Sequence, residues 1–505
     1  MFFDLLNSVL RRYLKTREKR VERIRKNPHD VQNRVFEYLI QQGKNTSFGK
    51  EHGFSEISCI EDFQKKVPVR SYEDFSVYTN RILNGEKNVS WPSKISWMSK
   101  SSGTTGARSK FLPVSGESLR GCHFRGGFDS MTSYYQNYSD ARIYSGKAII
   151  MAGSWEQGEV LKHGDVSAIM MMNTPFVLDA IRIPSRALSL IPDFEEKLDA
   201  MLEHCLGKDV RAIAGVPTWT LVLFEKILQK TGKKHIHEVW PHLEAYFHGA
   251  VNFAPYRNQF QTLLPNKPMR YLEVYNAAEG FFAWQDTPDN ENGMLLALDH
   301  GIFFEFLPLD QLGVTENQKT CLLSEVEVGK NYAVIISTNG GLWRYNTGDT
   351  VLFLSVDPFR VRVSGRTKHF INAFGEEVMV HNTDAAIKKA CEMTSSFLSD
   401  YTVAPVFLTQ GEKGCHEWII EFEKEPEDRE FFVKILDEEL QNVNSDYQAK
   451  RFKDLALTLP KIHIVPEGTF GTWLKSKGKF GAQHKVPRLS NDRKIVEEIL
   501  KDLHF

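Results

Sequence analysis

Ser99-Lys100-Ser101-Ser102-Gly103-Thr104-Thr105-Gly106-Ala107-Arg108-Ser109-Lys110 is dense in hydroxyls and glycines and closes on two cations. Glycine lets a backbone approach a ligand closely and take positive φ. Successive N–H groups and hydroxyls in such a loop can form a nest for phosphate oxygens. The run is not a Walker A loop, because Gly106 is followed by Ala107 rather than by Lys and a hydroxyl residue. By composition alone, a flexible Ser/Gly turn is the simpler reading.

The surroundings of the loop sharpen the choice. From about 95 to 370, short apolar runs alternate with helical patterns. Lys147–Met151, Val210–Ala214 and Tyr271–Tyr275 read as buried strands, and Phe194–Leu206 and Thr218–Thr231 as helices between them. Such alternation predicts an α/β domain with much parallel pairing. From Gly301 to Asp357 the strand-like runs have short connections, which predicts an antiparallel or barrel-like subregion. Residues 1 to about 90 are helical in pattern. Beyond Arg366 the order is helix, strand, strand, helix, strand, helix, a small α+β unit of roughly 130 residues. The expected fold is therefore a large N-terminal α/β domain, 1–366, and a small C-terminal α+β domain, 367–505.

Bulk composition agrees with more than one domain, since 505 residues exceed a single compact core. Hydrophobic residues are 42% and charged residues 25%, the balance of a globular protein. With 63 basic and 64 acidic residues, net charge −1, the chain lacks the basic excess of a dedicated nucleic-acid binder. Its six scattered cysteines, with no C-x-x-C pair, read as reduced structural thiols of a cytoplasmic protein. No run of about 18 apolar residues exists to span a bilayer. At the N-terminus Phe2, Phe3, Leu6, Val9, Leu10 and Tyr13 fall near helical spacing beside Arg11, Arg12 and Lys15. The pattern predicts an amphipathic helix, docked on the body or lying on a membrane surface without stable insertion. His235, His237, Glu238 and His242 lack the spacing of a zinc site and read as structural.

Four further segments carry candidate chemistry. Tyr275-Asn276-Ala277-Ala278-Glu279-Gly280 ends a buried strand, where an aromatic and a carboxylate suit a cleft in an open sheet. In Trp343-Arg344-Tyr345-Asn346-Thr347-Gly348-Asp349 the aspartate after a glycine turn can accept hydrogen bonds from a ribose diol. Gly365-Arg366-Thr367-Lys368-His369-Phe370-Ile371-Asn372 follows. Gln483-His484-Lys485-Val486-Pro487-Arg488 places a lysine in a loop, where a mobile cation could stabilise charge on phosphate. Taken singly, each also reads as a turn with solvated charge.

Their order resembles that of the adenylate-forming superfamily of acyl-CoA synthetases, luciferases and peptide-synthetase adenylation domains. The closer resemblance, over nearly the whole chain, is to the auxin-responsive acyl acid amido synthetase family, in particular its bacterial members. It extends through Asn45–Phe54, Val67–Phe75, Phe303–Leu309 and Lys485–Arg488. The resemblance implies a ligase that uses ATP and Mg²⁺ to convert a carboxylic acid to acyl-AMP, then passes the acyl group to an amine such as an amino acid.

Residue by residue, it implies that Ser101, Ser102, Gly103, Thr104, Thr105 and Gly106 hold the β- and γ-phosphates. Glu279 would hold Mg²⁺, Tyr275 would border adenine beside Gly249 and Ala250, and Asp349 would bind the ribose with Arg366 nearby. Lys485 would bridge the acyl carboxylate and the α-phosphate, and Val216-Pro217-Thr218-Trp219 would line the acyl pocket. Lys368 is the expected pivot of the small domain, where the commoner pattern has Asp. Ala278 stands where many relatives have a hydroxyl residue. Arg125 reads either as a partner for a second substrate carboxylate or as a surface arginine. A thiol acceptor such as coenzyme A, or a non-catalytic nucleotide-binding protein, are the competing readings.

Overall fold

The structure, a computed structural model, describes residues 2–503 apart from 102–109, 190, 192–193, 251–252, 254–255, 266–267, 313–317, 368–369, 377, 408–412, 455 and 478–485. The N-terminal part is helical, as expected. A long helix, Phe2–Lys26, is followed by Pro28–Gly43, whose proline sits in the first turn, where its missing N–H costs nothing. The first helix docks on the body through one face. Leu14, Val21 and Ile24 are buried, Arg17 pairs with Asp129 at 2.6 Å, Arg20 with Asp299 at 2.7 Å, and Arg25 with Asp286 at 2.9 Å. Ser71 and Asp74 form a capping box that starts the helix Tyr72–Leu83. Phe48 and Phe54 of the 45–54 segment pack on the fully buried Trp343, and a Cβ on Gly43 would lie 2.5 Å from that indole.

Eleven strands form one sheet in the order 302–308, 331–338, 345–356, 359–366, 294–296, 280–284, 270–277, 245–248, 210–214, 147–150, 182–183. Pairing from Arg270–Ala277 outward through Ala245–His248, Val210–Ala214, Lys147–Ile150 and Arg182–Ile183 is parallel. Pairing on the other side, beginning with Gly280–Trp284, is antiparallel. Arg270–Ala277 is thus the seam between the two halves. The antiparallel expectation for 301–357 holds. Among the described residues these strands continue the parallel set, and no pairing closes them into a separate barrel.

The strands Ile95–Ser101 and Lys110–Ser115 pair antiparallel, with Ser101 opposite Lys110. They therefore flank the hydroxyl-glycine loop on both sides.

After residue 366 a three-stranded sheet, Phe397–Val406, Cys415–Lys424 and Lys461–Val465, packs with the helices Val380–Thr394 and Arg429–Val443. The helices Ser445–Arg451 and Thr469–Ser476, and the short hairpin 370–371 with 378–379, had no distinct sequence pattern. Ile371 and Phe374 share a buried cluster with Tyr256 and Phe260 of the large α/β part, so the small unit sits against the end of the parallel strands. No described helix is long and apolar enough to cross a membrane.

Candidate active site

The seam strand lines a cleft, a cavity of about 1210 Å³. Alternation along Arg270–Ala277 brings Tyr271, Glu273 and Tyr275 to one side of the strand, and all three line the cavity. Gly249 and Ala250 follow the neighbouring parallel strand. The cleft therefore reaches the carboxyl ends of the parallel strands, where open α/β sheets place ligands, and runs back along the seam strand to Pro268, Met269 and Arg270. A Cβ at Gly249 would lie 2.3 Å from the Val274 carbonyl oxygen, so only glycine lets this loop run so close to the seam strand.

Register fixes the opposite wall. In the antiparallel pair 345–356 and 359–366, Asp349 is directly across from Arg366. Their side chains meet at 2.8 Å, and Tyr275 Oη donates to the other Asp349 oxygen at 2.6 Å. Gly348, at φ 83°, lies inside the strand 345–356 where its pairing with 331–338 shifts register, just before Asp349, and its N–H donates to Asn346 Oδ1 at 2.9 Å. Burial and the nearby Asp349 charge hold the Tyr275 phenol well above its ordinary pKa, so it stays a donor. Arg344 anchors the segment from behind. It pairs with the buried Glu305 at 3.0 Å and donates to the carbonyls of Gln64 and Val67 at 2.9 and 2.7 Å.

Glu279 and Lys110 both line the cavity. Burial, reinforced by Asp349, pushes the Glu279 carboxyl up to about 7, while the Lys110 and Arg366 charges oppose the shift. A carboxylate in that condition is poised to ionise when a cation arrives. Among the described residues no group of three His, Cys, Asp or Glu could hold a metal alone. One carboxylate facing a cavity fits Mg²⁺, which commonly takes one or two carboxylates and completes its shell with phosphate and water.

The small unit closes one side of the cleft. Asn372, Ala373, Phe407 and Asn491 line it, and Asn372 Nδ2 donates to the Ala250 carbonyl at 3.2 Å. The Asn372 N–H donates to Asn491 Oδ1 at 2.7 Å, and Tyr256 Oη donates to the Ala373 carbonyl.

The cavity thus brings together Gly249, Ala250, Tyr275, Glu279, Asp349 and Arg366. Ser102, Gly103, Thr104, Thr105, Gly106, Lys368 and Lys485 lie outside the described residues, as does the side chain of Ser101. Arg125 is not in the cleft. It donates to the Asp299 carbonyl at 2.8 Å, on the side where the N-terminal helix docks. His235 and Glu238 cap a short turn, and His242 bonds Asp209 at 2.9 Å.

Sequence reasoning missed Glu273, Arg257, Arg362, Asn372 and Asn491 in the cavity wall. For Glu273 the signal was available, because it sits two residues from Tyr275 on a strand. It also missed His248, fully buried beside Gly249 and stacked on Phe253 at 4.1 Å, with both ring nitrogens unpartnered among the described residues. Burial pushes that imidazole down to about 3, so it is neutral.

Comparison with known proteins finds matches over most of the chain. Residues 17–269 match the GH3 family N-terminal domain, 295–366 the GH3 family central domain, and 381–494 the GH3 family C-terminal domain. The chain is similar to the indole-3-acetic acid-amido synthetase GH3.4 of Arabidopsis thaliana, 24% identical over 96% of this chain and 94% of the relative. It is also similar to the 4-substituted benzoates-glutamate ligase GH3.12 of the same plant, 23% identical over 95% and 96%. Among solved structures, an acyl acid amido synthetase, AtGH3.15 in complex with 2,4-DB, superposes with TM-score 0.62 at 17% identity, covering 97% of this chain and 96% of that one. A 2-hydroxyisobutyryl-CoA ligase superposes with TM-score 0.52 at 14% identity, covering 94% and 91%. Both carry the same fold.

Proposed function

The chain belongs to the GH3 family, and from that premise we propose that it is an ATP-dependent acyl acid amido synthetase working through an acyl-adenylate. The observation that carries the reading is the convergence of Tyr275, Glu279, Asp349, Arg366, Gly249 and Ala250 on one cleft at the seam of the sheet.

In the first half-reaction a carboxylate oxygen attacks the α-phosphorus of ATP, and the bond from that phosphorus to the bridging oxygen of pyrophosphate breaks. In the second, an amine nitrogen attacks the acyl carbonyl, the bond to AMP breaks, and the nitrogen gives up a proton. Neither step needs a covalent enzyme intermediate. Positioning and charge compensation suffice.

The roles proposed for the cleft residues rest on their position, and those of the hydroxyl-glycine loop and Lys485 on the resemblance of their motifs. The paired Asp349 and Arg366 face the cavity where a ribose diol can bond the carboxylate. Tyr275 with the Gly249–Ala250 loop borders the adenine. Glu279, once ionised, gives an oxygen to Mg²⁺, whose charge offsets that of the phosphates when bound. Lys110, next after the hydroxyl-glycine loop, brings a cation to the same cavity, where its charge acts on Glu279. Ser101, Ser102, Gly103, Thr104, Thr105 and Gly106 hold the β- and γ-phosphates, and Lys485 spans the acyl carboxylate and the α-phosphate. The division at residue 366 makes 367–505 a unit that turns about Lys368 between the half-reactions. The acceptor is an amine, by likeness to the named relatives, and an amino acid is its simplest form. The scattered, unbridged cysteines accord with a reducing, cytoplasmic setting.

The test is a product assay. The protein is incubated with Mg-ATP, a panel of carboxylic acids and mixed amino acids or coenzyme A, and products are read by mass spectrometry. An amide mass that depends on both acid and amino acid is expected. A thioester formed with coenzyme A and no amide would overturn the acceptor assignment.

A further inference from the structure

The helix Phe2–Lys26 is amphipathic twice over. Its inner face is satisfied by the buried Leu14, Val21 and Ile24, by Tyr135 Oη donating to Asn7 at 2.5 Å, and by arginines paired with Asp129, Asp299 and Asp286. Yet Phe2, Leu5, Val9 and Tyr13 stand 61%, 66%, 55% and 45% exposed on the flank beside that face, with Tyr13 edge-on to Phe128 at 5.8 Å. Their spacing of three, four and four residues puts them on one stripe along the helix. The adjacent stripe carries Arg12, Lys15 and Lys19, all exposed. Among the described residues none of these three has a carboxylate partner, whereas Arg17, Arg20, Arg23 and Arg25 on the docked side all do. Docking on the protein body therefore accounts for the inner face and part of Tyr13, and leaves the exposure of Phe2, Leu5 and Val9 and the basic stripe unexplained.

We infer that the outer face of this helix is a docking surface for an anionic lipid bilayer. A line of large apolar side chains bordered by long basic ones is what an in-plane interfacial helix needs. The apolar groups enter the acyl boundary, and the lysine and arginine stems bend the charges back to the headgroups. The complement is a continuous anionic plane rather than a pocketed protein, because the stripe is convex and its charge is of one sign. Attachment is peripheral and reversible, since four side chains on a docked helix bury little area and no described helix spans a bilayer.

The experiment is co-sedimentation of the full chain with vesicles of phosphatidylcholine alone and of phosphatidylcholine with about one-third phosphatidylglycerol, at low and high salt. Binding to the anionic vesicles only, weakened by salt, is expected. Leu5→Glu with Val9→Glu should abolish it. Arg12→Gln, Lys15→Gln and Lys19→Gln together should weaken it on the order of 100-fold, about five-fold per neutralised residue. Circular dichroism and lipid-free pyrophosphate release should be unchanged in both variants, which separates loss of docking from loss of fold or catalysis. No binding by the wild type, or equal binding by the variants, would overturn the inference. So would a lipid-free dimer abolished by Leu5→Glu, which would assign the stripe to a second copy of the chain.

Discussion

Glu279 offers the sharpest handle on the cleft. In the free protein its carboxyl keeps a proton up to about pH 7, against an ordinary value of 4.5, because burial and then Asp349 disfavour the charge. Mg²⁺ requires the ionised form. The sign follows directly. Above about pH 7 the carboxylate is ready and Mg-ATP affinity is flat. Below it each pH unit lowers the ionised fraction tenfold, so the apparent Kd rises tenfold per unit, to about 100-fold near pH 5. Binding near pH 6 should release close to one proton from the protein. ATP without metal should show no such loss, since a protonated Glu279 repels phosphate less. Because a phosphate titrates near pH 6 on its own, the reference is Glu279→Gln, which keeps the shape and removes the charge. The assay is calorimetric titration in two buffers of different ionisation enthalpy, from about pH 5 to about pH 8. A wild-type Kd for Mg-ATP that tracks the Glu279→Gln protein across this range would refute the reasoning.

Other perturbations test other walls. Gly249→Ala puts a methyl 2.3 Å from the Val274 carbonyl. The displaced loop should raise the KM for ATP about 10- to 100-fold while calorimetry shows a folded protein losing only about 1–3 kcal/mol. Asp349→Asn removes the charge that accepts from Tyr275 and Arg366. Charge-assisted bonds of about 1.5–3 kcal/mol imply nucleotide affinity reduced on the order of 10- to 100-fold, read by the same titration. Arg344→Ala leaves Glu305 buried without its guanidinium partner, so chemical denaturation should show a loss of about 3–5 kcal/mol in the unit that unfolds with it. Lys485→Ala should lower adenylation about 10²- to 10³-fold with ATP binding retained, and an unchanged rate of pyrophosphate release would remove that residue from the mechanism.

The fold was legible where pattern and burial coincide. In Val210–Ala214 and Tyr271–Tyr275 apolar residues surround a single charged one, Arg211 or Glu273, and Val210, Ala212, Ile213 and Leu272 are buried in the sheet, so these short runs read as strands. The helices Ser445–Arg451 and Thr469–Ser476 were not legible, since at seven and eight residues they are too short for periodicity to accumulate. Of the site, the motif residues Tyr275, Glu279, Asp349 and Arg366 could be found because the order of their motifs resembles that of a known family, each being an ordinary turn or strand residue taken singly. Their partnership could not, because the contact of Asp349 with Arg366 depends on strand register, and that of Asp349 with Tyr275 on a fold of the sheet 74 residues apart in sequence. Asn372 and Asn491 were invisible for the same reason. They are ordinary polar residues until the small unit carries them to the cleft edge.

The central claim is that a carboxylic acid is activated by ATP in this cleft. The most direct measurement is acid-dependent pyrophosphate release from Mg-ATP, across aromatic and aliphatic carboxylic acids. The account expects release that depends on at least one acid, with an adenylate detectable when amine is withheld and consumed when amino acids are added. ATP binding in the cleft without pyrophosphate release on any acid of a broad panel would contradict it.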